Sequence, residues 1–203
     1  MKNGNWQLFN GNPLRLITDA KKMCNSSWTE RLWQVLKSHA KTDPQGNLVP
    51  GVRIAILGIG NSLNGDDGAG PAVVQALQRA RGSTGNILIL DAGPAPENFT
   101  SDLRRFKPDL VLMVDAAEMG TAAGTIMLLE TGQVDGFGAS THLYPPSTLA
   151  GFLSSELGCS TVVLGIQPQS LVFDQPLTKP VEEAVQACVD GVIKVLKHLN
   201  GNQ

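Results

Sequence analysis

The stretch Gly58-Ile59-Gly60-Asn61-Ser62-Leu63-Asn64-Gly65-Asp66-Asp67-Gly68-Ala69-Gly70-Pro71 lies between a mainly apolar run, Val52 to Leu57, and an amphipathic helical pattern, Ala72 to Ala80. A strand–loop–helix junction of this kind is where α/β proteins place their chemistry. Its glycines let the backbone turn tightly, and its polar content is two adjacent carboxylates, Asp66 and Asp67. A phosphate cradle wants bare N–H groups and a cation at a helix start. Two aspartates repel a phosphate, so the loop reads as built for a cation.

From Val52 onward strand and helix patterns alternate. Val52–Leu57, Ile87–Leu90, Leu110–Val114, Thr125–Leu129 and Thr161–Ile166 read as strands. Helices are expected from about Pro71, and over Asn98–Phe106, Ser147–Leu157 and Lys179–Leu199. Continuous apolar strands are the kind buried on both faces of a parallel sheet. The pattern predicts a three-layer α/β sandwich, a mostly parallel twisted sheet of about five strands flanked by helices on both faces. Residues 1–50 differ in character and hold all three tryptophans. Within them Ser27-Trp28-Thr29-Glu30 reads as a capping box opening a helix over 28–40. The expected organisation is an N-terminal extension over 1–50, either packed on the core or serving as a docking arm, and one domain over 51–203.

Composition excludes several classes. A formal charge of -2 gives no electrostatic case for nucleic acid. Cys24, Cys159 and Cys188 are widely spaced and odd in number, which argues against a disulfide framework or a zinc knuckle. No apolar run is long enough to span a bilayer, and the N-terminus lacks the apolar region of a secretory signal. A cytoplasmic protein without membrane insertion is expected, with a monomer favoured. The glycine loop departs from Gly-x-Gly-x-x-Gly, Leu63 standing at the last position, and lacks the Lys-Ser/Thr pair of a P-loop. There is no Gly-x-Ser-x-Gly nucleophile elbow, and Cys24 and Cys188 have no obvious base beside them.

Loops at the carboxyl ends of parallel strands crowd onto one edge. Asp67 follows the first strand, Asp115 ends the third, and His142 precedes the helix feeding the fifth. If the first and fifth strands are parallel, that helix starts at the carboxyl edge, and the three residues can converge. Two carboxylates and an imidazole with open positions suit a divalent transition metal such as Ni²⁺ or Zn²⁺ better than a closed structural site. Each residue also has a plainer explanation: helix capping for Asp66 and Asp67, a turn for Asp115, a surface loop for His142.

These residues resemble the [NiFe]-hydrogenase maturation endopeptidases. The likeness runs through Gly58–Pro71, Asp91-Ala92-Gly93-x-Ala95-Pro96-Glu97-Asn98, Val114-Asp115-Ala116, Thr141-His142 and Gly165-Ile166-Gln167-Pro168, in the family's order. Together with Phe173-x-x-Pro176-Leu177-Thr178, the form is most similar to the hydrogenase-3 (formate hydrogenlyase) type. The resemblance implies removal of a C-terminal extension from the hydrogenase large-subunit precursor after nickel insertion, without a serine or cysteine nucleophile. It implies that Asp67, Asp115 and His142 contact nickel carried by the precursor, and it allows another divalent metal in the isolated protein. Asp66 is expected to be a loop or cap residue. The competing expectations are a metal-dependent hydrolase of another substrate and a nickel-binding chaperone without peptidase activity. The resemblance does not reach residues 1–50.

Overall fold

A computed structural model describes residues 27–39, 51–80, 85–130 and 146–199. Five strands form one sheet: β1 (Ile54–Ile59), β2 (Ile87–Gly93), β3 (Leu110–Ala116), β4 (Ile126–Glu130) and β5 (Ser160–Ile166). Among the described residues five helices accompany them: α1 (Trp28–His39), α2 (Ala69–Ala80), α3 (Thr100–Phe106), α4 (Pro146–Leu157) and α5 (Lys179–Leu199). Single 3-10 turns, Gly65–Gly68 and Pro96–Phe99, precede α2 and α3.

The strand order is β2-β1-β3-β5-β4. All neighbours are parallel except β4, which runs antiparallel to β5 with Leu128 opposite Leu164. The interior strand β1 is buried along its whole length. Its alternation sends Ile54 and Ile56 to a face covered by α1, α2 and α5, where Leu36, Leu77, Val192 and Leu196 pack. Ala55, Leu57 and Ile59 point to the other face, with Leu103 of α3 and Leu149 and Leu153 of α4. The result is the three-layer sandwich expected from the alternating pattern.

β1 is joined to β2 on one side and β3 on the other, so the chain changes direction across the sheet between β1 and β3. In open α/β sheets the crevice beyond the carboxyl ends of such strands is where ligands bind. The close approach of α2 to this point depends on Gly70. A Cβ there would lie 2.2 Å from the Ile59 carbonyl oxygen and 2.3 Å from that of Val114.

The α1 helix is part of the core. Leu32 and Leu36 are buried within the cluster that includes Val192 and Leu196. Ser27 caps its start, the Glu30 N–H donating to Ser27 Oγ at 3.3 Å. The return half of the capping box is replaced, because the Glu30 carboxylate accepts from Gln34 Nε2 at 2.9 Å.

Candidate functional site

The loop after β1 folds back on itself. Gly60, at φ 136°, is so close to the Asp67 carbonyl that an added Cβ would stand 1.8 Å from its oxygen. The reversal brings the Asp67 carboxylate to the Asn61 N–H, which donates to Oδ2 at 2.9 Å. Asp67 is 1% exposed. The 3-10 turn that carries it packs against β3, at whose end Asp115 is also 1% exposed. The alternation along β3 places Asp115 on the α3/α4 face with Val111 and Met113, opposite Gly165 of β5. Asp67 and Asp115 thus sit on touching elements at the switch point between β1 and β3. Two nearly inaccessible carboxylates at one sheet edge form an oxygen-rich corner suited to a hard or borderline divalent cation.

His142 lies outside the described residues, as do Cys24 and the Gly132–Ala139 loop. The helix that follows His142 is positioned clearly. Its last residue, Leu157, is separated from the first residue of β5 only by Gly158 and Cys159 at the amino edge, so α4 must begin toward the carboxyl edge. There Thr148, Leu149 and Phe152 face Pro96, Glu97 and Thr100 across a cavity of about 350 Å³. Among the described residues no group of three His, Cys, Asp or Glu side chains is arranged to hold a metal; Asp67 and Asp115 are two of the expected set.

Asp66 does different work from its neighbour. Its fully buried carboxylate accepts from the backbone N–H groups of Gln169 (2.8 Å), Ser170 (2.9 Å) and Thr178 (2.6 Å), and from the Thr178 hydroxyl (2.9 Å). Burial by itself raises such a carboxyl's pKa, but the Thr178, Ser170 and Gln169 N–H groups and the Thr178 hydroxyl outweigh it, and the pKa falls below its ordinary value. Asp66 therefore caps no helix of its own. It ties the loop after β5 to the loop after β1, and Thr178 passes the connection on by accepting from Val181 and Glu182 N–H at the start of α5.

A second polar knot was not singled out by residue patterns alone. The Gln167 side chain is 4% exposed. Its Oε1 accepts from Met119 N–H at 2.7 Å and Thr121 N–H at 3.3 Å, while Nε2 donates to Glu118 Oε1 at 3.0 Å. It fixes the loop that follows Asp115. The only sequence signal was Gly165-Ile166-Gln167-Pro168, where a polar residue directly follows an apolar strand.

The two thiols among the described residues, Cys159 and Cys188, are unsuited to nucleophilic attack. Burial pushes Cys159 above the ordinary thiol value and Cys188 up to about 12, so both remain protonated at neutral pH.

Comparison with known proteins gives a consistent set. The family described as HycI, hydrogenase maturation protease, matches residues 71–195. The hydrogenase 3 maturation protease of Escherichia coli K12 is 36% identical over 132 residues, 64% of this chain and 83% of that protein. A putative hydrogenase maturation protease of Methanocaldococcus jannaschii is 30% identical over 153 residues, 72% of this chain and 90% of its own length. The fold is similar to the crystal structure of the [NiFe] hydrogenase maturation protease HycI from Thermococcus kodakarensis KOD1. That match has a TM-score of 0.66 at 32% identity, covering 72% of this chain and 93% of the other.

Proposed function

The chain belongs to the HycI family of hydrogenase maturation proteases, and we propose that it engages its precursor through Asp67, Asp115 and His142. It is a peptidase that removes the C-terminal extension of the hydrogenase large-subunit precursor. In this reading the nickel arrives as part of the substrate. The peptidase unit spans residues 51–203, with 1–50 an N-terminal extension that lends α1 to the core. The reaction takes place in the cytoplasm, and the enzyme acts as a monomer.

The observation that carries the proposal is the burial of Asp67 and Asp115, each 1% exposed, on touching elements at the β1/β3 switch point. Hydrogen bonding such as that from Asn61 N–H to Asp67 holds a carboxylate in its charged form, ready to donate oxygen to a cation. Two oxygen donors and one imidazole hold a metal weakly by themselves and leave coordination positions open. A site of this kind discriminates against precursor without nickel and accepts precursor that brings its own. The donors orient the nickel-bearing C-terminus so that the scissile amide lies over the corner. A carboxylate there takes a proton from water as its oxygen adds to the carbonyl carbon. The C–N bond then breaks, and the leaving amine takes up the proton.

The test is cleavage of nickel-loaded and nickel-free precursor, followed by intact mass, with Asp67→Asn and His142→Ala alongside. Loss of the C-terminal peptide only with nickel, and in neither variant, is the expected result. Full cleavage by both variants would remove these residues from the site. Stoichiometric metal transfer without mass loss would support a delivery protein instead.

A further inference from the structure

Among the described residues the large apolar side chains left exposed are Leu63, Phe152, Leu171, Val172 and Phe173. Four of these five stand on the two loops that Asp66 joins, with Val172 58% and Phe173 66% exposed. The loops are locked together by more than the carboxylate. Asp66 N–H donates to the Ser170 carbonyl at 2.9 Å, and Asp174 N–H donates to the Leu63 carbonyl at 2.7 Å. Asp174 adopts φ 58°, a left-handed conformation uncommon for a residue other than glycine, and it turns the chain back after Phe173. The apolar side chains are therefore held out into solvent by a built frame.

We propose that Leu63, Leu171, Val172 and Phe173 form a crest that docks an apolar segment of the hydrogenase large-subunit precursor. The inference rests on the peptidase reading above and names the surface that recognises the substrate protein. Position supports it: Leu63 belongs to the loop whose Asn61 N–H holds Asp67, so the crest borders the acidic corner. Chemistry supports it as well. Gln169, Ser170, Asp174 and Gln175 flank the three apolar residues and include only one charge, so contact here depends on apolar burial with a polar rim. A second copy of the chain seated on the crest would cover the Asp67 loop and obstruct a protein substrate, which favours the precursor as occupant. Asp66 is then a positioning residue, acting on the substrate through the shape of the loops.

The experiment compares wild type with the Val172→Ser/Phe173→Ser double variant, measuring cleavage of nickel-loaded precursor. Binding of that precursor is measured separately by rapid mixing, before cleavage proceeds. The expected result is a KM raised roughly tenfold or more, kcat changed less than twofold and binding weakened in parallel. Thermal midpoint and native mass should stay the same, because the side chains are solvent-exposed. Unchanged KM and binding would overturn the crest while leaving the peptidase reading intact. A wild-type dimer split by the variant would assign the surface to self-association and overturn it too. Wild-type binding that depends on the crest, without cleavage, would keep the docking surface and remove the peptidase reading.

Discussion

The two edges of the sheet manage charge in opposite ways. At the amino edge charges are exposed or half-buried and stitched to nearby elements. Arg53 lies 4.5 Å over the Phe106 ring and donates Nε–H to the Phe106 carbonyl at 2.7 Å. Its own N–H goes to Asp109 Oδ2 at 2.7 Å, joining the starts of β1 and β3. Arg104 and Glu156 pair at 2.9 Å with 51% and 41% of their side chains exposed, linking α3 to α4. At the carboxyl edge the arrangement is inverted: Asp66, Asp67 and Asp115 are buried while Leu171, Val172 and Phe173 face solvent. Asp66 is stabilised there by four donors, but the exposed apolar side chains gain nothing from folding alone. An edge inverted in this way is one that has a partner to meet.

If this contrast is sound, substitutions at the two edges should separate activity from stability. The largest effect is expected for Asp115→Asn, which should slow single-turnover cleavage by roughly a hundredfold or more with the fold retained by circular dichroism. Wild-type rates in that variant would end the contrast. Next comes Leu36→Ala, which opens a cavity beneath α1 and should cost about 2–5 kcal/mol in denaturant unfolding. An unchanged midpoint would make α1 an appendage.

Asp66→Ala should cost about 2–3 kcal/mol, because it leaves buried N–H donors without their charged acceptor. The pH dependence has a definite sign. Asp66 titrates below its ordinary value in the folded state, so its stabilisation is full above the unfolded value of 3.8. It should be lost as pH falls through the folded pKa, and a wild-type-minus-variant stability difference that stays flat in acid would contradict the network. Smallest of all is Arg104→Ala, expected within about 0.5 kcal/mol and without effect on cleavage, as usual for an exposed ion pair.

The strands were legible as apolar runs; four of the five end further along the chain than those runs, while β5 ends at Ile166 as expected and starts one residue earlier. The first run reads as Val52–Leu57, whereas β1 spans Ile54–Ile59. Arg53 N–H is taken by a carboxylate rather than a ladder partner, and Gly58 continues the ladder although its residue type suggests a turn. The second and third strands likewise extend past their apolar stretches, to Gly93 and Ala116. Polar and small residues at the carboxyl edge are strand in conformation and site in chemistry, and periodicity registers only the first kind of information poorly there. The last helix, with no such conflict, runs over Lys179–Leu199 as its 3.6-residue spacing indicates.

Within the candidate site, the sequence separates Asp67, an expected ligand, from Asp66, an expected loop or cap residue, but does not show what Asp66 holds. The partners of Asp66 lie more than a hundred residues away, at Gln169, Ser170 and Thr178, and no local pattern announces them.

Alternation of strand and helix, the glycine-bearing turn after β1 and the acidic pair it carries were determined by the sequence itself, because each depends on residues within a turn or two of one another. Strand order, the antiparallel placement of β4, the assignment of Asp66 to the β5 loop and the enforced exposure of Leu171–Phe173 were decided by tertiary structure. These follow from which distant segments share the carboxyl edge, and that is settled only when the two faces of the sheet bury their helices together.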